Sequence, residues 1–164
     1  GGKGEATSFA CAAYDSNGTS YTGATNGMVY VWKTRELDST LPLHKNGFVS
    51  ALRIVNNLMY SGGKDGMICI TDITSMQVVK SVEVSDLVRG LDGDGLLGGF
   101  IVTGLRNGDV FKIDLNNDSR VKIQESHSDG EVWGLAVISD THFATSGDDN
   151  KIKLWNIQSK KCDF

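Results

Sequence analysis

The chain has 164 residues, 40% of them hydrophobic, and a formal net charge of −4 at pH 7, so it can bury a sizeable core. The mildly acidic balance argues against a surface for nucleic acid or an anionic membrane, and no apolar stretch approaches the roughly 18 residues of a membrane span. The three cysteines fit no C-x-x-C spacing, which favours reduced thiols in a cytoplasmic protein over a disulfide framework or a zinc site.

Four short turns rich in glycine, asparagine and aspartate divide the chain at regular intervals. In chain order they end at Gly27, Gly66, Gly108 and Asn150. The steps between them are 39, 42 and 42 residues, and a period near forty that carries strand-like apolar runs is the signature of propeller blades. We therefore predict four repeats, with the approximate bounds 5–43, 44–84, 85–126 and 127–164.

Between these turns the apolar residues recur with a period of two, which indicates strands rather than helices. The clearest predicted strands, in chain order, are 77–82, 120–125, 132–137, 142–146 and 151–155. The first two would be the outer strands of the second and third repeats, and the other three would be successive strands of the fourth. The predicted fold class is all-β, with four blades.

The fourth repeat stops at Phe164, where its outer strand has barely begun. Propellers use about four to eight blades and close the ring by joining their first and last strands. An open sector would leave two apolar faces uncovered, which a soluble monomer rarely tolerates. We therefore expect a sector of a larger ring, about seven-bladed, with the remaining blades or a second copy of the chain covering the open edges.

The fourth repeat resembles the WD-repeat family in four residues: His127, Thr145, Asp149 and Trp155. This resemblance implies that the four side chains form a hydrogen-bond relay within one blade, a role that suits imidazole, hydroxyl, carboxylate and indole groups. Their counterparts in the first two repeats are Thr22, Asn26, Trp32, His44, Ser61 and Asp65. Thr71 stands at the indole position of the second repeat, and the third repeat, with Ile113 there and no histidine, departs most from the pattern.

A narrower resemblance rests on the stretch Gly-Glu-Val-Trp-Gly-Leu-Ala at 130–136, which follows His127. Together with the segments 29–33 and 61–66, it is similar to the echinoderm microtubule-associated-protein-like family. Members of that family carry tandem propellers and associate with tubulin and microtubules. The resemblance implies a non-catalytic cytoskeletal scaffold in the cytoplasm, with tubulin or microtubules as a partner.

The loops at one face of a propeller form a broad platform, which favours binding of a protein partner. The residues predicted to point to this face are Phe48, Ser50, Lys64, Arg89, Arg106, Glu131, Trp133 and Asp148. Phe48, Trp133 and the arginines are the residue types of interface anchors. Two alternatives stay open: Trp133 fills the wall between blades, and Lys64 and Arg106 are ordinary solvated charges.

No residue pattern predicts catalysis, a metal or a cofactor. His44 and His127 lack a second ligand at metal spacing and precede a first strand, where the relay needs them. The segment 92–95, Asp-Gly-Asp-Gly, lacks the third acidic position and closing Glu of a calcium loop, so a glycine-rich turn is predicted there. The competing functions are a cytoskeletal scaffold, a WD-repeat adaptor that binds a peptide or protein in an unrelated complex and, remotely, a propeller enzyme.

Overall fold

Strands account for all the regular structure in the computed structural model, which describes residues 7–125 and 131–163. The first eight are β1 (Phe9–Tyr14), β2 (Ser20–Ala24), β3 (Met28–Lys33), β4 (Glu36–Pro42), β5 (Val49–Val55), β6 (Leu58–Gly63), β7 (Met67–Asp72) and β8 (Gln77–Glu83). The others are β9 (Val88–Gly93), β10 (Phe100–Leu105), β11 (Asp109–Asp114), β12 (Arg120–Glu125), β13 (Val132–Ser139), β14 (His142–Gly147), β15 (Ile152–Asn156) and β16 (Lys161–Cys162). The described ranges contain no helix that is long and apolar enough to cross a membrane.

These strands form four antiparallel sheets of four strands, and each sheet follows the chain order. The first strand of each sheet packs against the first strand of the next: β1 on β5, β5 on β9 and β9 on β13. The sheets are therefore blades arranged around four inner strands, and we number them blades 1 to 4 in chain order. The prediction of an all-β chain of four blades is confirmed, and the outer strand of blade 4, β16, has only two residues.

The boundaries between blades repeat one contact, in which a glycine of a second strand faces the first valine of the next inner strand. The pairs are Gly23 with Val49, Gly62 with Val88, and Gly104 with Val132. A Cβ atom on Gly104 would lie 2.9 Å from Cγ1 of Val132, closer than real side chains approach. In blade 4, Ser146 occupies the place of these glycines, because it lies opposite Gly134 as Gly104 lies opposite Gly90. The glycines of blades 1, 2 and 3 thus allow the next sheet to come close.

The hydrophobic core lies between the blades rather than inside one of them. Successive strand residues point to opposite faces of a sheet, so each inner blade contributes one set of side chains to each neighbour. Three clusters result, each uniting two adjacent blades, as in Tyr21 with Met59, Tyr60 with Ile101, and Val102 with Trp155. Burial of each such side chain contributes roughly 1.5–3 kcal/mol.

One carboxylate connects the inner strands of three blades. Asp92 of β9 is 1% exposed, and its Oδ1 accepts a hydrogen bond from Arg53 Nε of β5 at 3.0 Å. Its Oδ2 accepts the backbone N–H of Val137 of β13 at 2.9 Å. A carboxylate tolerates burial when charged and polar partners satisfy it in this way. The prediction of a glycine-rich turn at 92–95 was therefore wrong for its first two residues. Asp92 and Gly93 belong to β9, and the connection starts at Asp94.

Candidate functional site

In blade 2 the residues predicted for the relay are in contact. His44 Nδ1 lies 2.9 Å from Asp65 Oδ1, and His44 Nε2 lies 3.0 Å from Ser61 Oγ. The backbone N–H groups of Lys45 and Met67 also donate to the Asp65 carboxylate, each at 3.1 Å. Burial raises the pKa of Asp65, but His44 and the two N–H groups together lower it more, so the pKa lies below its ordinary value of 3.8. The ionised carboxylate holds the segment before β5 against the β6–β7 turn.

Blades 1 and 4 contain the hydroxyl–indole part of the relay. Trp32 Nε1 donates to Thr22 Oγ1 at 2.8 Å, and Trp155 Nε1 donates to Thr145 Oγ1 at 2.6 Å. Trp155 is buried against blade 3, whereas Trp32 is half-buried on the side of blade 1 that faces away from blade 2. Each bond joins the second strand of its blade to the third, so these residues hold a sheet together.

The turn residues predicted for the relay bond to their own turns. Asn26 Oδ1 accepts the N–H of Met28 at 3.1 Å, and Asp149 Oδ1 accepts the N–H of Lys151 at 3.1 Å. These bonds close the tight connection between the second and third strands. His127 lies outside the described residues, so its part in the relay of blade 4 stays a prediction.

In blade 2 a threonine occupies the indole position, and its hydroxyl is left unpaired. Thr71 has the same register position in β7 as Trp155 in β15, and its buried Oγ1 has no hydrogen-bond partner among the described residues. Since a buried unpaired hydroxyl is unfavourable by about 1–3 kcal/mol, Thr71→Val should raise the free energy of unfolding in urea by about 1 kcal/mol.

The matched control for this change is Thr103→Val in blade 3. Thr103 is equally buried, but its hydroxyl donates to the carbonyl oxygen of Gly90 at 3.2 Å. Loss of that bond should lower the free energy of unfolding by about 1 kcal/mol. If both substitutions shift stability in the same direction, the hydroxyl of Thr71 is not the unfavourable group.

The eight residues predicted for the binding face lie at one end of the blades, which we call the upper face. At this end the residue after each second strand donates its N–H to a carbonyl just before the inner strand. The four bonds are Thr25 to Ser8 at 2.9 Å, Lys64 to Phe48 at 3.0 Å, Arg106 to Leu87 at 2.9 Å, and Asp148 to Glu131 at 3.0 Å. The turns of all four blades are thereby fixed beside the starts of their inner strands.

Four upper-face residues form a cluster across the boundary of blades 3 and 4, which we call the Arg89 cluster. Arg89 forms an ion pair with Glu131, and its guanidinium carbon lies 4.4 Å from the centre of the Trp133 ring, a cation–π distance. The Trp133 indole N–H donates to one oxygen of Asp148, and the Glu131 backbone N–H donates to the other at 2.8 Å. The bond from Glu131 and then that from Trp133 lower the pKa of Asp148. Trp133 is thus held in one orientation while 53% exposed.

The other four upper-face residues differ in their surroundings. Ser50 Oγ donates to a backbone carbonyl of β6 at 3.0 Å and also lies against a carbonyl of β9, so it faces the boundary between two blades. Arg106 pairs with Asp86 at 2.9 Å. Lys64 is exposed and Phe48 is half-buried. Of this group, Lys64, Arg106 and Phe48 have surface that a partner could reach.

Two acidic residues near this region were not predicted from the sequence. Asp86 pairs with Arg106 on the upper face, and Asp92 connects the inner strands. A signal for Asp92 exists, because Arg53 precedes it by 39 residues and opposite charges at equivalent positions of adjacent repeats favour a pair. In the ranges 7–125 and 131–163, no three His, Cys, Asp or Glu side chains are grouped as a metal site would require.

Comparison with known families and structures agrees with this architecture. The family model for the WD domain, G-beta repeat, matches residues 118–156, from just before β12 to the end of β15. In the crystal structure of RRP9 WD40 repeats, 51% of the chain superposes on 98% of this chain with a TM-score of 0.82 at 17% identity. This likeness shows the fold: four blades of this kind form about half of a longer WD40 chain.

Two curated relatives match nearly the whole chain. It is 44% identical over 161 residues to the ciliary WD repeat-containing protein ctxp80 of Euplotoides octocarinatus, which covers 98% of this chain and 22% of that protein. It is 30% identical over 155 residues to the 77 kDa echinoderm microtubule-associated protein of Lytechinus variegatus, covering 89% of this chain and 22% of that protein. The chain therefore spans about a fifth of the length of these relatives.

Proposed function

We propose that this chain, whose four blades have the WD40-repeat fold, is a non-catalytic protein-interaction scaffold whose upper face contacts microtubules or tubulin. The observation that carries the proposal is the Arg89 cluster, in which an exposed tryptophan is fixed beside an arginine. The names of two relatives, one ciliary and one microtubule-associated, support a cytoskeletal partner and a cytoskeletal location.

The Arg89 cluster suits protein binding because it combines exposure with a fixed geometry. Tryptophan and arginine dominate the residues whose truncation weakens protein complexes most. A mobile side chain loses rotamer entropy when it binds, about 0.5–1.5 kcal/mol for a large one. Trp133 is already held by Arg89 on one ring face and by Asp148 at its N–H. Much of its rotamer entropy is therefore already lost in the free protein, and binding costs less.

The test is co-sedimentation of the full-length protein with taxol-stabilised microtubules over a range of tubulin concentrations. Trp133→Ala should weaken binding at least about tenfold, since truncation of an anchor tryptophan weakens binding by about 2 kcal/mol or more and about 1.4 kcal/mol is tenfold. Tyr14→Ala is the matched control. Tyr14 is also an aromatic residue, 79% exposed, but it ends β1 at the opposite end of its blade.

Each outcome of this experiment decides a different part of the proposal. Pelleting that Trp133→Ala abolishes and Tyr14→Ala leaves unchanged would support microtubule binding through the upper face. If the folded wild type does not pellet, microtubules are not the partner, and an adaptor that binds a peptide or protein in another complex takes first place. If both variants pellet like the wild type, the contact lies outside the Arg89 cluster.

We also propose that blades outside this chain cover the open faces of blades 1 and 4. On blade 1 the rings of Phe9, Tyr30 and Trp32 form an aromatic group with centroid distances of 5.5, 6.1 and 6.4 Å, and Phe9 is 52% exposed. On blade 4, Ile152 is 78% exposed. Packing of further blades on these faces would bury both.

If further blades cover the face of blade 1, Trp32→Ala should destabilise the full-length protein more than the isolated chain in thermal unfolding. Equal loss of stability in the two would indicate that the face is uncovered.

A further inference from the structure

The connection between β9 and β10 differs from its counterparts in length and in exposed apolar surface. It spans residues 94–99, and we call it the Leu96 loop. The equivalent connections of blades 2 and 4 have two residues, 56–57 and 140–141, and that of blade 1 spans 15–19. In the Leu96 loop the side chains of Leu96 and Leu97 are 59% and 62% exposed. Two adjacent leucines thus project from the end of blade 3 opposite the upper face.

Hydrogen bonds within the Leu96 loop fix its shape. Asp94 Oδ1 accepts the N–H of Leu96, and Asp94 Oδ2 accepts the N–H of Phe100, both at 3.0 Å. The N–H of Gly99 donates to the carbonyl oxygen of Leu96 at 3.1 Å. One carboxylate therefore bridges the start of the loop and the first residue of β10.

Residues of neighbouring elements anchor the loop from two sides. From blade 2, Tyr60 Oη accepts the N–H of Gly95 at 3.1 Å, and Asn56 Nδ2 donates to the carbonyl oxygen of Gly95 at 3.3 Å. From the β11–β12 turn, Asn116 Nδ2 donates to the carbonyl oxygen of Gly98 at 2.6 Å. These bonds hold the leucines at a fixed position relative to blades 2 and 3.

The loop of blade 1 shows that such a closure does not need leucine. There Asp15 Oδ1 accepts the N–H groups of Asn17 and Thr19, both at 2.9 Å, as Asp94 does in blade 3. The exposed tip of that loop carries Ser16 and Asn17, which solvent hydrates well. The leucines of blade 3 are thus dispensable for closing the loop and unfavourable in water.

The exposure of the Leu96 loop does not result from an open face of its blade. Blade 3 has blades 2 and 4 packed on its two faces, so blades added to either end of the chain would not pack on its sheet. Asp94 within the loop and Asp114 at the end of β11 place two carboxylates beside it, whereas Asp118 of the β11–β12 turn pairs with Lys80 at 2.7 Å. The leucines therefore project beside an acidic and amide-rich border.

We propose that the Leu96 loop is a docking point at which Leu96 and Leu97 enter an apolar groove on a partner protein, with basic residues at the rim of that groove. The fixed backbone of the loop needs no further ordering when a partner binds, and the acidic border complements a basic rim. An anionic membrane surface is disfavoured by the same border. The inference goes beyond the scaffold function of the upper face, because it concerns the opposite end of the blades.

The test uses the full-length protein with a photo-crosslinking phenylalanine analogue in place of Leu97, expressed in cells of its own source. Asn17, in the polar loop of blade 1, is the matched control position for the analogue. The protein crosslinked at position 97 is identified, purified, and titrated with wild type, with Leu96→Ser/Leu97→Asn, and with the control Ser16→Ala/Asn17→Ala. Both double variants should keep the wild-type Tm, because all four side chains are exposed.

We expect one protein to dominate the crosslinks at position 97 and to be absent from those at position 17. Its binding should weaken at least about tenfold in Leu96→Ser/Leu97→Asn and stay unchanged in the polar-loop control. Equal crosslinking at both positions, or equal affinity of the two double variants, would overturn the proposal. So would flotation with liposomes of neutral or anionic lipid that only the leucine variant loses, since this would assign the leucines to a bilayer. None of these results depends on whether the upper face binds microtubules.

Discussion

Asp92→Ala should lower the free energy of unfolding by about 2–4 kcal/mol, one of the largest losses expected from a single polar residue here. The substitution removes the acceptor of the Val137 N–H and the partner of Arg53, at a position that is 1% exposed. It thereby severs the polar connection between the inner strands of three blades. Arg53 is half-exposed and can return to water, which keeps the loss below that of a fully buried ion pair.

The measurement is urea denaturation of the chain followed by far-ultraviolet circular dichroism, with Asp38→Ala as the control. Asp38 also pairs with a cation, Lys33 at 3.1 Å, but both side chains are substantially exposed. Exposed pairs contribute about 0–1 kcal/mol, so Asp38→Ala should shift the midpoint little. The urea midpoint of Asp92→Asn should lie between those of Asp92→Ala and Asp38→Ala, because the amide oxygen of asparagine keeps one acceptor. Equal midpoints for Asp92→Ala and Asp38→Ala would refute a connecting role for Asp92.

Trp155→Ala should destabilise the chain by about 3–5 kcal/mol, the range for truncation of a buried tryptophan. Trp155 is 2% exposed and stacks on Phe143 with a centroid distance of 6.2 Å. Its indole N–H also satisfies the buried hydroxyl of Thr145. The substitution therefore opens a cavity between blades 3 and 4 and removes a donor at the same site.

Trp32→Ala is the matched comparison, because Trp32 makes the same bond to Thr22 in blade 1. Trp32 is only half-buried on the open face, so its truncation in the isolated chain should destabilise by about 1–2 kcal/mol. The measurement is thermal unfolding of both variants and of Trp155→Phe, which keeps part of the ring volume but lacks the indole N–H. Comparison of Trp155→Phe with Trp155→Ala separates the effect of the cavity from that of the lost hydrogen bond. Similar losses for Trp32→Ala and Trp155→Ala would mean that burial between blades does not set the difference.

Local features of the sequence were sufficient to predict the blades. The period of two along the strands and the glycine or asparagine at the end of each turn both act over a few residues, so the four sheets and the position of Trp155 could be inferred. The same holds for the end of the blades at which Arg89 and Trp133 lie, because each follows from its place at the start of an inner strand.

Contacts between blades could not be predicted in the same way. Arg53 and Asp92 are 39 residues apart, so only alignment of the second and third repeats relates them. The bond from Val137 to Asp92 spans 45 residues, and neither contact follows from the period of two along a strand. The orientation of Trp133 depends on Arg89 of the neighbouring blade, and the fixed shape of the Leu96 loop depends on Asn56 and Tyr60 of blade 2. Such geometry arises only once the sheets are packed.

The repeated glycine–valine contact has a consequence for how the chain opens. Since the main contacts between blades in the described residues join neighbours in sequence, the stability of the isolated chain is close to a sum of nearest-neighbour terms, as in a linear array. Thermal fluctuations should therefore peel blades away from either end, while β6 and β10, flanked on both sides, open last. Amide hydrogen exchange should be slowest in those two strands, and uniform exchange across all four blades would instead indicate a single cooperative unit.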